Sequence, residues 1–182
     1  MFYEERQMEE KALMETAAKM CAAARTAPKT KGVDDIITLV LTGSEKVKLA
    51  DKMDEVYLRE FGETEGHYVR DAKNLRASGA VVLIGVKKSY KGLPHCSFCG
   101  FKNCEENKEH GGRCAFNTID LGIAIGSAVS VAADNRVDSR VMFSIGKVFE
   151  EMDFIKEKDI LWQGIPISIS GKSPYFDRVK KK

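Results

Sequence analysis

Four of the five cysteines lie within one short stretch of the chain, in the pattern Cys96-x2-Cys99-x4-Cys104-x9-Cys114. Cysteines at such short spacing in an intracellular protein are more typical of a metal site than of disulfides. Gly100, directly after Cys99, permits a tight or left-handed backbone turn. The pattern therefore predicts that the four thiolates share one metal centre. Any fold of this chain has to bring the two ends of the stretch together.

The rest of the sequence favours a reducing compartment for these cysteines. The first 14 residues are rich in Glu and lack the apolar segment of a secretory signal. The longest uncharged apolar run, Leu121 to Ala133, has 13 residues and is too short to span a bilayer. We therefore expect a cytoplasmic protein without membrane contact. Because 29 Lys and Arg nearly balance 27 Asp and Glu, no nucleic-acid partner is expected either.

Two kinds of metal centre fit the cysteine pattern. We favour a four-iron, four-sulfur (4Fe-4S) cluster, whose ligands are cysteine thiolates. Cys114 is expected at the start of a long helix, where the helix dipole stabilises a thiolate. Structural zinc is the alternative, with His95 or His110 available in place of a cysteine, although nine residues between Cys104 and Cys114 make a poor zinc knuckle. Disulfides or unliganded thiols are a minor third possibility.

The apolar pattern predicts an α+β fold, with helices covering a sheet. Period-four apolar positions place Leu13, Met14, Ala17, Met20, Cys21 and Ala24 on one buried helix stripe. Pro166 suggests that the last strand lies at an edge or begins irregularly. The predicted helices are Glu4–Ala24, one from Ser44, Tyr68–Leu75, one from Cys114 to about Ala133, and Ser144–Met152; the predicted strands are Ile36–Leu41, Ala80–Val86 and Ile165–Ser170.

This order of elements predicts a single α+β domain over residues 1–182, with the cysteine segment inserted at residues 94–116. Ser44 is expected to cap its helix, and that helix would carry Val47 on its buried side. Ile36–Leu41 and Ala80–Val86 are apolar and β-branched, which is typical of buried strands.

The block Cys96-Ser-Phe-Cys99-Gly-Phe-Lys-Asn-Cys104 resembles the small 4Fe-4S domain that begins Cys-x2-Cys-Gly-x3-Cys. Over nearly its whole length the chain resembles a family of uncharacterised prokaryotic proteins described as containing a ferredoxin domain. The matching residues are Ala27 to Gly32, the cysteine block, and Gly164 to Arg178. The resemblance implies an iron–sulfur protein that exchanges electrons with a redox partner protein.

A looser resemblance is to the flavin-dependent nitroreductases, which share an early helix, an Ala-Pro loop, a strand and a long helix of small residues. It implies a nitroreductase-like α+β fold, a homodimer and FMN as a possible cofactor. The positions that would approach the FMN phosphate are Arg25, Lys29 and Lys31. These three residues equally fit a solvated basic loop.

No catalytic constellation stands out among the three histidines, His67, His95 and His110. Three function hypotheses follow: an electron-transfer protein, an oxidoreductase in which the cluster feeds a flavin, and a zinc-stapled binding module. Near the C-terminus, Lys172 and Arg178 could form an anion site, or Asp177 and Arg178 could form an ion pair. Structural anchoring is the expectation that we prefer for this segment.

Overall fold

A four-stranded antiparallel sheet forms the centre of the protein in this computed structural model, which describes residues 1–176. The strands are β1 (Ile36–Leu41), β2 (Ala80–Lys87), β3 (Asp138–Ser139) and β4 (Ile160–Ser168), in the order β1-β2-β4-β3. β2 is interior, and its first seven residues are buried. Alternate residues of β2 point to opposite faces, so this strand contributes to a core on each side of the sheet.

Helices cover both faces of the sheet. On one face α1 (Glu5–Thr26) packs against α5 (Ala115–Asp134), and their buried residues join Val82 and Ile84 of the sheet. On the other face α2 (Gly43–Phe61), α3 (His67–Ala77) and α6 (Phe143–Phe149) enclose Val81 and Leu83. The short α4 (Cys104–Glu109) lies in the segment between β2 and α5. The predicted helix-covered α+β sheet is confirmed.

The last strand differs from its prediction in extent and position. β4 begins at Ile160, five residues earlier than expected, and it lies between β2 and β3 instead of at an edge. Proline has no backbone N–H, so Pro166 is tolerated only where a strand needs no donor. Alternate N–H groups of a strand point to the same side. The N–H of Gly164 is directed to Met142, so the nitrogen of Pro166 faces the same side, where pairing with the short β3 resumes only at Ile167.

Other predicted details are corrected by the packing. β1 is the edge strand, so it is mostly half-buried and only Ile36 is fully buried. The residue at the N-cap of α2 is Thr42, not Ser44. Met14 and Val47, expected on buried stripes, are exposed. The sequence also gave no sign of α4 or of the two-residue β3, and α6 ends three residues before the predicted Met152.

α5 is long and apolar enough, by length and composition alone, to cross a membrane. Core helices of soluble proteins pass the same test, and one such helix is weak evidence of a membrane span. In this fold Leu121, Ala124, Ala128 and Ala132 are buried against the rest of the protein. Two polar side chains of the same helix, Asn117 and Asp120, are buried as well, and both make hydrogen bonds.

The C-terminal segment returns to the sheet through Tyr175, whose hydroxyl lies 2.8 Å from the Ser168 hydroxyl. Tyr175 is buried, and burial raises the pKa of its hydroxyl well above its usual range. Arg140 adds a hydrogen bond to the Tyr175 carbonyl. Asp177 and Arg178, for which an anion site or an ion pair was considered, lie outside the described residues.

A buried ion network joins the start of the cysteine segment to the rest of the fold. Lys91 has a side chain only 2% exposed, and its ammonium lies 2.7 Å from Asp35 Oδ2 and 3.2 Å from Asp120 Oδ2. The contact with Asp120 Oδ2 is an ion pair only, since that oxygen has no hydrogen-bond partner among residues 1–176. Asp120 Oδ1 instead accepts from the backbone N–H and the hydroxyl of Thr30, at 3.0 and 2.8 Å.

The ion pairs of this network keep Asp35 and Lys91 charged, although burial opposes the charge on each of them. Burial opposes ionisation of Asp35, but hydrogen bonds from Lys91 and Ser89 outweigh it and lower the pKa of this carboxyl. Burial also opposes the charge on Lys91, and the two carboxylates outweigh it and raise the pKa of the ammonium. The network therefore holds four segments of the chain together: the loop after α1, the start of β1, the segment after β2, and α5.

Replacing the central cation should leave the buried carboxylate of Asp120 and the half-buried carboxylate of Asp35 without their shared counter-ion. We expect Lys91→Met to lower the free energy of unfolding by about 3–5 kcal/mol at neutral pH, because it leaves buried charges without a counter-ion. Lys73→Met, at an exposed site on α3, is the matched control. Denaturant unfolding at several pH values measures both variants.

The pH dependence separates this mechanism from a simple packing defect. Because the folded pKa of Asp35 is lowered, its contribution is present above its unfolded pKa of about 4 and is lost as the pH falls further. The difference between the wild-type protein and Lys91→Met should therefore shrink in acid. Adding Asp120→Asn should restore part of the loss. A pH-independent difference with no restoration would contradict the assigned role of Lys91.

Candidate metal centre

Cys96, Cys99, Cys104 and Cys114 all line one cavity of about 350 Å³. Cys114 is buried, and the other three are half-buried. All four are free thiols, as is Cys21 on α1. The chain therefore brings the four cysteines of the sequence pattern to a single opening between the segment after β2 and the start of α5, and it keeps Cys21 apart from them.

The backbone around the first two cysteines turns repeatedly into the left-handed region. Gly92, His95, Ser97 and Gly100 have φ angles of +61°, +52°, +46° and +81°. For His95 and Ser97 such angles are strained, since side chains rarely adopt them. Alternating right- and left-handed residues form concave nests of backbone N–H groups, which bind anions and occur at many iron–sulfur sites. Left-handed residues recur through this loop, and one turn is closed by the Gly100 N–H, which donates to the Ser97 carbonyl at 2.9 Å.

Helix starts position the other two cysteines. Asn103 caps α4 by accepting a hydrogen bond from the backbone N–H of Glu106 at 2.9 Å, which makes Cys104 the first helical residue. Cys114 is the N-cap residue of the 20-residue α5, as the sequence predicted. Its carbonyl accepts from the N–H of Asn117 at 3.0 Å.

Asn107 holds the segment between these two cysteines in shape. Its side-chain amide donates to the backbone carbonyl of Arg113 at 3.0 Å, and its backbone carbonyl accepts from the N–H of Gly112 at 2.9 Å. Gly112 has no room for a side chain, because an added Cβ would lie 2.2 Å from Asn107 Oδ1. Asn107 thus connects α4 to the residues before Cys114, and it does so from a buried position.

A second asparagine links α5 to the sheet. The Asn117 side chain is fully buried and donates to the Lys87 carbonyl and to Ser89 Oγ, at 3.0 and 3.1 Å. Sequence reasoning missed Asn107, Asn117 and the Lys91 network. Of these residues, only Lys91 could have been singled out in the sequence. It belongs to a basic stretch that follows β2 and lies five residues before the first cysteine of the pattern.

Aromatic rings border the cavity region without closing it. Phe98 stacks on Phe116 of α5, with ring centroids 5.4 Å apart, yet Phe98 is 71% exposed. Phe101 lies against His110, at 5.6 Å between centroids. His110 Nδ1 is also 2.9 Å from the Glu106 carbonyl, and His110 does not line the cysteine cavity, whereas His95 does.

The donor geometry differs from that of a single bound ion. Among residues 1–176, no three His, Cys, Asp or Glu side chains converge closely enough to hold one metal ion. Four sulfurs on one zinc would each lie about 2.3 Å from the ion and would nearly touch one another. All four cysteines line the same cavity, together with other residues such as Leu93, Pro94 and Lys102.

The last turn of α1 and the loop after it contain the three residues that the resemblance to nitroreductases places near a flavin phosphate. Arg25 donates to the Ile36 carbonyl and pairs with Asp34 at 2.5 Å. The Lys29 ammonium donates to the carbonyls of Arg25 and Ala27, at 2.5 and 2.9 Å. Lys31 is exposed and adopts a positive φ of 59°. Two of the three cations are thus engaged within the loop, and Lys31 faces solvent.

Comparison with solved structures identifies the fold. The FMN-dependent nitroreductase NfnB from Mycobacterium smegmatis, solved with NADPH, superposes with a TM-score of 0.60 at 12% identity, covering 93% of this chain and 84% of the other. A nitroreductase with bound FMN from Desulfitobacterium hafniense gives a TM-score of 0.58 at 10% identity, covering 87% and 78%. At such low identities these similarities show the fold alone, and that fold is nitroreductase-like.

Sequence comparison identifies the family. A family model described as "Uncharacterized protein containing a ferredoxin domain" matches residues 110–178, which include Cys114. An uncharacterised protein from Archaeoglobus fulgidus is 43% identical over 171 residues, covering 90% of each chain. The chain therefore belongs to the family of uncharacterised proteins that contain a ferredoxin domain, and it has a nitroreductase-like fold.

Proposed function

We propose that Cys96, Cys99, Cys104 and Cys114 bind one 4Fe-4S cluster and that the protein transfers single electrons through it. The observation that carries the proposal is the single cavity lined by all four cysteines. When bound, the cluster would supply the redox chemistry. The protein would supply four thiolates, a fixed position, and control of access to solvent.

The surroundings of the four thiolates fit an anionic cluster. The left-handed turns at Gly92, His95, Ser97 and Gly100 give the loop a form that presents backbone N–H groups to an anion. Hydrogen bonds from such groups to sulfur are one of the factors that set cluster potential. Lys102, which lines the cavity, adds a positive charge. Glu105, which also lines it, opposes this effect.

A zinc-stapled binding module is the less favoured alternative. It would require the four cysteines, or three of them with His95, to close onto one ion, and the nine residues between Cys104 and Cys114 make a poor zinc knuckle. Metal analysis separates the two alternatives. Iron with labile sulfide supports the cluster, and about one zinc for each chain supports the zinc-stapled module.

A flavin-linked oxidoreductase is the second candidate function, and the fold favours it, since the similar solved structures include proteins described as FMN-dependent or FMN-bound. In this candidate a cluster would feed electrons to FMN. Lys31 is the cation of the loop after α1 that faces solvent, whereas Arg25 and Lys29 would have to leave their present partners to bind a phosphate. Release of FMN from the denatured protein would support this candidate.

The proposed function also implies a cytoplasmic location. A cluster held by thiolates suits a cytoplasmic protein, where thiols stay reduced. Phe98 is highly exposed and stacks beside the cysteine segment, so it lies where a redox partner protein would approach. Exposed aromatic residues are frequent anchors of protein interfaces.

We further propose that α5 forms a homodimer interface. One face of this helix is exposed and consists of small and apolar residues, and it comprises Ile119, Gly122, Ile123, Gly126, Ser130 and Ala133. Nothing in the described chain lies within 4 Å of a Cβ added at Gly122 or Gly126. Small residues allow close approach of a second helix, and an apolar face of this length favours a partner surface.

Substitution of one cysteine ligand should remove the cluster. We expect Cys99→Ser to lose most of the EPR signal of the dithionite-reduced protein, because a 4Fe-4S cluster needs four ligands. Cys21→Ser is the matched control: Cys21 lies on α1, and burial raises the pKa of its thiol, which disfavours metal binding. Equal signals from both variants, or a silent spectrum from the wild-type protein, would exclude the proposed ligand set.

A charge on the exposed face of α5 should separate the proposed dimer. We expect Ile123→Glu, at a residue 39% exposed, to shift the mass measured by light scattering from two chains to one. Leu58→Glu, at a residue 53% exposed on α2, is the control and should remain dimeric. A wild-type protein that is monomeric, or an Ile123→Glu variant that stays dimeric, would argue against this interface.

A further inference from the structure

A second cavity, of about 230 Å³, lies on the other side of the residues that precede Cys114. Its apolar wall includes Trp162 of β4 and Phe149 of α6, which meet edge to face with centroids 5.1 Å apart. Met152 and Ile155 continue the apolar wall. Both aromatic residues are almost completely buried in the fold, so the wall is fixed by the core.

Arg113 contributes the guanidinium group of this cavity, and within residues 1–176 its Nη1 atom has no hydrogen-bond partner. That atom is buried, and no ion pair of Arg113 occurs within those residues either. Arg113 as a residue is half-buried, but a buried polar atom without a partner costs free energy, and such an atom in a native protein is a sign of a water, ion or ligand. The backbone around Arg113 is fixed by Asn107, so the side chain is presented from a rigid base.

The acidic residues at the rim do not neutralise Arg113. Glu150 pairs with Lys147 at 2.8 Å, and Glu157 pairs with Lys87 at 2.6 Å. Asp159, which also lines the cavity, is exposed. A rim that contains acidic groups repels a multiply charged anion more than a singly charged one. Lys158 is a second cation of the lining, and it lies 3.7 Å from Asp153. A singly charged anion is therefore the ligand that Arg113 can hold against this rim.

We propose that this cavity binds a small monocarboxylate with an aromatic or other apolar body, whose carboxylate pairs with the guanidinium of Arg113. The planar guanidinium matches a carboxylate with two parallel hydrogen bonds. The body of the ligand contacts Trp162, Phe149 and Met152, and the volume of the cavity limits it to a small molecule.

The position of the cavity connects it to the cysteine site. Arg113 lines the second cavity, and the next residue, Cys114, lines the first. The two cavities are therefore lined by consecutive residues at the start of α5. Binding itself requires only the walls of the second cavity, so it does not depend on which metal the four cysteines hold.

Trp162 makes the proposal directly measurable, because it is the only tryptophan in the chain. Benzoate titrated into the anaerobically prepared full-length protein should change the Trp162 fluorescence with saturation. Arg113→Gln should weaken benzoate binding at least about tenfold, the size of effect typical of a lost charge-assisted hydrogen bond. Arg136→Gln, at an exposed arginine after α5, removes the same charge elsewhere and should bind as the wild-type protein does.

Two further measurements separate a ligand site from a structural role. Benzamide, which is neutral and similar in shape, should bind at least about tenfold more weakly than benzoate. Arg113→Gln without ligand should melt at the same temperature as the wild-type protein or higher, since it removes a charged group whose buried Nη1 atom has no partner within residues 1–176. No saturable response to benzoate, equal binding by both arginine variants, equal binding of benzamide, or tighter binding of inorganic phosphate would each overturn the proposal.

Discussion

The ammonium group of Lys91 is the contact on which the arrangement of the cysteine segment depends. It is buried between Asp35 and Asp120, and Asp120 in turn holds Thr30. A lysine buried in this way is stable only because two carboxylates compensate the loss of its hydration. The network fixes the chain five residues before Cys96 and fixes α5 six residues after Cys114. Both ends of the cysteine segment are therefore attached to one rigid point.

Between these two attachments the chain has little freedom. Asn117 connects the first turn of α5 to the end of β2, and Asn107 connects α4 to the residues before Cys114. The remaining loop is shaped by its own left-handed residues, including the strained Ser97. Strain of this kind persists where the surrounding structure enforces it, and it is frequent at ligand sites. Such a scaffold fixes the backbone on both sides of the four cysteines, and this rigidity would suit the proposed electron transfer, because a rigid site reorganises little.

The helices and the central strand could be predicted because their signals are local. Ala80 to Val86 is a continuous apolar run, and it became the interior strand β2. The four cysteines were recognisable from spacing alone. In contrast, β4 was placed too late, because Ile160 to Gly164 contains a polar Gln163 and follows a charged loop. Asn107 and Arg113 had no signal, since an asparagine or arginine in a polar loop gives no indication of burial until the tertiary contacts are known.

The content of metal and labile sulfide tests the central claim most directly. Protein purified without oxygen should contain about four iron atoms and about four acid-labile sulfides for each chain, as a 4Fe-4S cluster requires. Iron and labile sulfide in that proportion would support one 4Fe-4S cluster for each chain. About one zinc for each chain, with neither iron nor labile sulfide, would contradict the account.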